Sequence, residues 1–510
     1  MTSLSKTLKL GTRRSLLAWA QSSWVAREVE KHNPGIKVEL VGIDTQGDKI
    51  LDKPLSQIDG KEFFTAELDH ALLDGHVDFT VHSMKDLALD RPSQISLAAI
   101  PARELQHDII VFHDNVIQRL KDGKEIRIGT SSPRRLTLIP SFLEKALPQF
   151  SPGQKPLLKF VEIRGNVNTR LGRILETEIA ERKLDGVVLA FAGLERLSHD
   201  EKAALELWKL LEKTKLMIVP VRDCPSAPAQ GALAIECHKD NHEVLATLRK
   251  LHHPPTESGV KEERAILREW GGGCHLKLGA NFIPNTCGGK LFIRGEKPSG
   301  EFVVETRNIG KTPPSLSEFT KVEASDLFDF KKRELSASEK SALSESKVCF
   351  VAHSRALEFL GENETAILEN KRVWVSGLKS WFKLATMGVW VEGSVEYQGF
   401  DYFQVFKNKT LLRMNGKTAF LTHAESAIED QNTILVPCYT HQFREVPSKI
   451  TNSSRLYWSS GLPFSTVWSK LGSLEKQAEF SKKVHASGIG KTATAIRACG
   501  IEPLIIDADS

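Results

Sequence analysis

The sequence is poor in cysteine, and the few it has form no pattern. Its seven cysteines, Cys224, Cys237, Cys274, Cys287, Cys349, Cys438 and Cys499, are odd in number and show no C-x-x-C spacing. That argues against a disulfide framework and against a structural zinc site, and no metal is expected. No uninterrupted apolar run reaches about 18 residues, which speaks against a helical membrane span. Met1–Leu10 carries two lysines but lacks the apolar stretch of a secretory signal. Strong charge of one sign is also missing: the net charge is +5, far from the concentrated basic field of a nucleic-acid binder. What remains is a chain of 510 residues, 41% hydrophobic and 26% charged, ordinary for a globular protein. It is too long for one core and should divide into about three or four domains. The expectation is a reduced, cytoplasmic protein with no nucleic-acid or membrane partner.

Short apolar runs alternate with helical patterns over the first 240 residues. LKLGT (8–12), KVELVGI (37–43), FTVHS (79–83), RIGT (127–130), VVLAFA (187–192) and ALAIE (232–236) read as buried strands. Residues 20–32, 64–75 and 168–182 read as amphipathic helices. Such alternation predicts α/β domains with mostly parallel sheets, whose ligands bind at the strand C-termini. From about 245 to 310 a helical stretch (257–270) leads through three glycines into alternating strands at 290–296 and 301–307, a small α+β domain. Residues 311–346, rich in Ser, Lys and Glu with a Pro-Pro pair, read as a linker. After 347 the α/β alternation resumes in KVCFVAHS, KRVWVSG, TILVPCY, RLYWSSG and KKVHASGIG.

Polar clusters finish several of the early strands. VHSMKDL sets Ser83, Lys85 and Asp86 after one strand, and GTSSPRR sets Ser131, Ser132, Arg134 and Arg135 after another. RGNVNTR adds Arg164 and Arg170, and GTRRS adds Arg13 and Ser15. Any one of these could be a solvated turn. Together, at strand C-termini, they would converge on a cleft for a ligand with several carboxylates or phosphates, since arginine grips such groups bidentately. Helix N-termini would add N–H donors. No phosphate-binding glycine motif follows any of these strands, which disfavours a nucleotide. Asp86 would stay ionised among arginines and could stabilise a developing cation or move a proton. Cys274 follows three glycines, which imply an exposed, flexible loop. On spacing alone it is either a small core residue or a thiol used for covalent attachment or attack.

The segments GTRRSLLAWAQ, GKEFFTAELDHALLDGHVDFTVHSMKDL, IGTSSPRR, IRGNVNTRL, VLAFAGLERL, APAQGALAIE and GGGCHLKLGA resemble, in order, the motifs of the porphobilinogen deaminase (hydroxymethylbilane synthase) family over about residues 8–310. The resemblance implies two α/β domains like those of periplasmic binding proteins, at 1–102 with 223–244 and at 103–222. It also implies a small α+β domain at 245–310. Cys274 would hold a dipyrromethane cofactor through a thioether, and four porphobilinogens would be added, each losing ammonia, to give hydroxymethylbilane. Asp86 would be the catalytic acid/base at the pyrrole nitrogens. Ser83, Lys85, Ser131, Ser132, Arg134 and Arg135 would hold the cofactor. Arg13, Ser15, Phe64, Arg164, Arg170, Arg196 and Gln230 would meet the substrate and the growing chain. The sequence departs from the family at CHLKLG, GKEFF and RELQHD (103–108), none of which removes an assigned charge.

Residues 347–510 are similar to the uroporphyrinogen-III synthase family in KRVWVSGLKSWFKLATMGVWVEG, VPCYTHQFREVP, LYWSSG and ASGIGKTATAIRACGIEP. This resemblance implies a C-terminal α/β module that inverts the last ring and closes the macrocycle. Its matching residues are Tyr439, Ser459, Ser460 and Thr492, with a buried structural Tyr439 left open. The expected protein is a monomer acting on porphobilinogen. A deaminase with a non-catalytic C-terminal module and a simple solute-binding protein are the alternatives; the second needs neither Cys274 nor Asp86.

Overall fold

The computed structural model describes residues 6–45, 65–151, 153–176, 182–273, 275–285, 288–311, 314–396, 398–428, 430–488 and 490–506, with the backbone alone at 362–364. Phe64 and Cys274 lie outside the described residues. The chain forms two compact units, Met1–Ile283 with Leu291–Arg307, and Pro284–Lys290 with Asn308–Ser510.

The first unit is built on two five-stranded sheets. One runs in the order Ile36–Ile43, Lys6–Arg13, Phe79–Ser83, Leu233–His238, Ile95–Ala99. The other runs Leu158–Val161, Ile126–Gly129, Gly186–Ala190, Asp108–His113, Thr214–Val219. In each, the first three strands are parallel and the fourth is antiparallel to both of its neighbours. The sheets are therefore mixed rather than mostly parallel. The antiparallel strands are those that follow the two passages of chain between the sheets, at 100–107 and 220–232. Two α/β lobes joined by two crossings agree with the expected binding-protein plan. Asp108–His113 is buried along nearly its whole length, as a strand covered on both faces should be.

Helix ends follow local chemistry. Ser15 caps Leu16–His32 by accepting from the Ala18 N–H at 3.4 Å. The helix expected at 257–270 starts earlier, as Pro254–Glu269, because prolines in a first turn lose no hydrogen bond. The helix expected over 168–182 spans only Val167–Gly172 among the described residues, ending at a glycine, a poor helix former. The strand 187–192 stops at Ala190, where Phe191 opens the helix Phe191–Ser198. After Pro254–Glu269 come three strands, Lys277–Asn285, Gly288–Glu296 and Phe302–Gly310, in one sheet.

In the second unit, residues 311–346 are not the expected linker. Thr320–Val322 pairs in parallel with Arg455–Trp458, and Phe328–Lys332 pairs antiparallel with Thr433–Phe443. Composition suggested solvent exposure, but Val322, Leu327 and Phe328 are the buried anchors that hold this segment down. The six-stranded sheet runs Phe328–Lys332, Thr433–Phe443, Thr418–His423, Val348–Val351, Arg372–Val375, Val391–Ser394. The four-stranded sheet runs Thr320–Val322, Arg455–Trp458, Val484–Ser487, Leu504–Ile505. Trp374, Trp381, Phe350, Phe403 and Phe406 fill the first core; Trp458 and Phe464 fill the second. The Trp458 indole N–H donates to His485 Nδ1 at 3.0 Å, so burial leaves it satisfied. Among the described residues no helix is long and apolar enough to cross a membrane, and the five cysteines are free.

Candidate active site

The parallel strands of the first unit end in the polar turns singled out in the sequence. Phe79–Ser83 runs into a 3-10 turn, Met84–Asp86. That turn exposes Asp86 and half-buries Lys85. Its shape is fixed from outside by Arg264, which donates to the carbonyls of Met84 (3.0 Å), Leu87 (3.1 Å) and Ala88 (2.8 Å). Arg264 sits on the helix Pro254–Glu269, which leads into Gly271, Gly272 and Gly273, all with positive φ (97°, 70° and 112°). Only glycine adopts three such conformations in succession without strain. The helix that precedes the three glycines thus also clamps the Asp86 turn. Sequence reasoning missed Arg264. The available signal was a Glu-Arg pair, Glu263 and Arg264, on the helix face that buries Val260 and Ile266.

On the second sheet, Ser132 lies at the N-cap of Pro133–Ala146, whose first turn buries Arg134 and Arg135. Both guanidiniums pair with Asp108, at 2.8 and 2.7 Å. Burial opposes ionisation of Asp108, but the two arginines outweigh it and hold its carboxyl well below the usual range. Arg134 also donates to the Pro225 carbonyl and Arg135 to that of Val188. Ser131 bonds the Ile163 backbone, tying this turn to the one bearing Arg164 and Arg170. Arg170 donates to the Gly165 carbonyl at 2.8 Å. Its pKa falls to about 10 through burial and then through repulsion from Arg135 and Arg164. Three arginines therefore stand close enough to feel one another.

The two lobes meet at Gln230. Its amide oxygen accepts from Lys85 Nζ at 3.3 Å, and its amide nitrogen donates to Asp108 Oδ1 at 3.0 Å and to the Gln106 carbonyl at 2.9 Å. Gln230 is buried, and its side chain is hydrogen-bonded within the fold. Lys85 has its pKa lowered by burial, opposed by Asp86 and Asp108 and reinforced by Arg134 and Arg135. One ammonium, one exposed carboxylate and the arginine cluster thus share one neighbourhood. Arg13, half-buried, ends its strand beside His82, and Ser83 exchanges hydrogen bonds with Gln21. Ser15 is occupied as a helix cap. Arg196 donates to the Gly231 carbonyl at 2.5 Å, and burial lowers its pKa to about 10.

In the second unit, Ser459 bonds the Val322 carbonyl at 2.8 Å. Ser460 is the N-cap of Gly461–Lys470, and Gly461 lies against Thr492, so these hydroxyl residues share one strand-end region. Tyr439 belongs to the other sheet. It is buried among Phe330, Phe359, His423 and His441, and burial pushes its phenol up to about 12. Lys491 Nζ, at the start of the helix Lys491–Arg497, donates at 2.9 Å to the Ala427 carbonyl in the loop after Thr418–His423.

Residues 8–246 match the family profile described as porphobilinogen deaminase, dipyromethane cofactor binding domain. A porphobilinogen deaminase of Geotalea daltonii is 41% identical over 275 residues, covering 54% of this chain and 77% of that one. One from a Nostoc species is 36% identical over 299 residues, covering 58% and 82%. These relatives therefore account for little more than half of the chain. A mutant uroporphyrinogen III synthase structure from Thermus thermophilus aligns with 36% of this chain and 82% of its own. Its identity of 14% and TM-score of 0.26 carry no argument.

Proposed function

The chain belongs to the porphobilinogen deaminase family, and on that premise we propose that its first unit assembles a linear tetrapyrrole on a dipyrromethane joined through a thioether to Cys274, while its second unit closes the ring. Porphobilinogen deamination in tetrapyrrole biosynthesis is the activity of the family, and its dipyrromethane cofactor-binding domain is present here. The observation that carries the residue assignment is the placement of exposed Asp86 beside Lys85 and the buried Arg134–Asp108–Arg135 cluster.

The donor set fits a polycarboxylate cofactor. Two guanidiniums share one carboxylate at Asp108, and Arg164 and Arg170 add charge that raises the repulsion, so the cleft gains by receiving anionic groups. Ser132, Arg134, Arg135 and Lys85 would hold the cofactor's acetates and propionates, with Ser83 and Ser131 supporting their turns. When bound, the cofactor would supply the nucleophilic pyrrole carbon to which the first ring is joined, each later ring being joined to the one before it. Asp86 holds or moves the proton at the pyrrole nitrogen and offsets the positive charge that develops as ammonia leaves. Arg13, Arg164, Arg170 and Arg196 would receive the carboxylates of incoming and growing rings, and Phe64 and Gln230 would also meet the substrate. Ser15 contributes through the N–H groups of the helix it caps.

Ring closure draws support from the four segments resembling uroporphyrinogen-III synthases and from two largely parallel sheets whose polar strand ends are joined through Lys491 and Ala427. Such a reaction needs chiefly a cleft that folds the linear chain on itself, with Tyr439 on one side and Ser459, Ser460 and Thr492 on the other. The protein would work as a cytoplasmic monomer.

The full chain should release ammonia from porphobilinogen and show an intact mass raised by one dipyrromethane, a gain absent in Cys274→Ala. An unmodified wild-type mass would sink the deaminase assignment of Cys274. Oxidised product should be mainly type III porphyrin; mainly type I would leave a deaminase with a non-catalytic C-terminal unit.

A further inference from the structure

In the six-stranded sheet, three side chains converge on one point that nothing in the tetrapyrrole chemistry requires. His423 ends the strand Thr418–His423, Glu425 lies in the turn that follows, and His441 belongs to the adjacent strand Thr433–Phe443. Glu425 Oε2 is 3.0 Å from His423 Nδ1 and 2.7 Å from His441 Nδ1. The three candidate ligand atoms all lie within 4.8 Å of one another.

We propose that His423, Glu425 and His441 bind a borderline divalent ion of the Zn²⁺ class, with the remaining position open to solvent. Two imidazole nitrogens and one carboxylate oxygen suit Zn²⁺, Co²⁺ or Ni²⁺ and disfavour Mg²⁺ and Ca²⁺, which prefer all-oxygen shells. Tetrahedral bonds of about 2.0–2.2 Å place neighbouring ligand atoms about 3.3 Å apart. The observed nitrogen-to-oxygen separations need to open by only a few tenths of an ångström.

The ligands are held in place before any ion arrives. His441, with a side chain 5% exposed, is packed among Phe328, Phe330 and Tyr439, at ring centroid distances of 5.2, 5.3 and 5.4 Å. Glu425 Oε1 accepts from the His441 backbone N–H at 3.2 Å, so the carboxylate cannot rotate without losing a bond. Such outer support is what orients ligands in metal sites. His423 and Glu425 remain 26% and 35% exposed, which gives an ion an entry path. Three protein ligands with an open side match sites that exchange water or substrate, whereas structural zinc sites are closed by four. No sequence motif announces the site, because His423 and Glu425 are brought to His441 by parallel strand pairing rather than by helical spacing.

The test uses the full chain, stripped by chelator and dialysed against Co²⁺ and, separately, Zn²⁺. Wild type should bind one ion and show the intense visible absorption of low-coordinate Co²⁺. Glu425→Gln and His423→Gln should each weaken binding at least about tenfold and abolish that absorption. Glu425→Gln keeps one amide oxygen to accept from the His441 backbone N–H, and its NH2 can donate to the neutral His441 Nδ1, so its metal-free thermal midpoint should stay close to that of wild type. The proposal fails if wild type takes up no ion, or if both variants bind as wild type does. Neither result bears on ring closure, which is read from the porphyrin isomer.

Discussion

Arg103 and Glu263 form a bidentate ion pair at 2.7 and 2.8 Å, with the carboxylate fully buried. The same carboxylate accepts from the backbone N–H groups of Ala229 at 2.7 Å and Phe282 at 2.8 Å. One side chain on the helix Pro254–Glu269 thereby ties together both crossings between the lobes and the three-stranded sheet. It also holds Ala229 in a left-handed conformation (φ 63°) that a non-glycine residue rarely adopts. Removing Arg103 would strand a buried charge. Arg103→Met should therefore cost about 3–5 kcal/mol by chemical denaturation. The double variant Arg103→Met/Glu263→Gln should recover part of that loss, because glutamine carries no charge and its single amide oxygen still accepts from one of the two N–H groups. Equal stability of the single and double variants would reject this account.

Asp86 is exposed, whereas the arginine that shapes its turn is not. Asp86→Asn should therefore leave stability within about 0.5 kcal/mol of wild type and reduce turnover by about two orders of magnitude or more. Arg264→Lys cannot serve the carbonyls of Met84, Leu87 and Ala88 together, since an ammonium lacks the planar fork. It should lower kcat with little change in KM, because Asp86 is displaced while the substrate's carboxylate partners are untouched. Steady-state kinetics on both variants check this. A pure KM effect for Arg264→Lys would contradict the positioning role.

The sequence made the polar strand ends of the first unit legible because each lies directly after an apolar run, and strand C-termini gather ligand groups by topology. It did not show which of those side chains are already satisfied. Arg134, Arg135 and Gln230 look free in the sequence, yet all three meet Asp108, which the sequence marks only as the last residue of the RELQHD segment. The 311–346 segment misled for a related reason. Its composition is that of solvent-exposed chain, and the few apolar residues that place it in two sheets carry no periodic signal. His423, Glu425 and His441 were equally hidden, since cross-strand neighbours have no fixed spacing.

Tyr439 separates a structural from a functional reading of the second unit. Its phenol, pushed up to about 12 by burial, stays neutral at working pH, so it can donate a hydrogen bond but not act as an anion. Tyr439→Phe keeps the ring that packs on Phe330 and Phe359. Ammonia release should be unchanged, while the share of type III porphyrin should fall toward the spontaneous product. An unchanged isomer ratio would make Tyr439 a core residue only.

His82 provides a pH signature for the first unit. Burial, followed by the nearby charges of Arg91 and Arg13, lowers its pKa to about 3, against about 6.5 in an unfolded chain. Between those values the unfolded state binds a proton that the folded state refuses. Stability therefore falls as pH drops from about 6.5 toward about 3, by at most about 1.4 kcal/mol per pH unit from this group. Above about pH 6.5 the imidazole is neutral in both states and contributes no slope. His82→Gln cannot take up a proton and can still bond Thr80, the partner of His82 at 3.1 Å. Chemical denaturation from about pH 6.5 to about pH 4 should give the variant a shallower loss of stability than wild type. Parallel curves would mean that His82 accepts a proton without unfolding, and that the charge of Arg91 is compensated by Asp69 and Glu236 more completely than the burial of His82 implies.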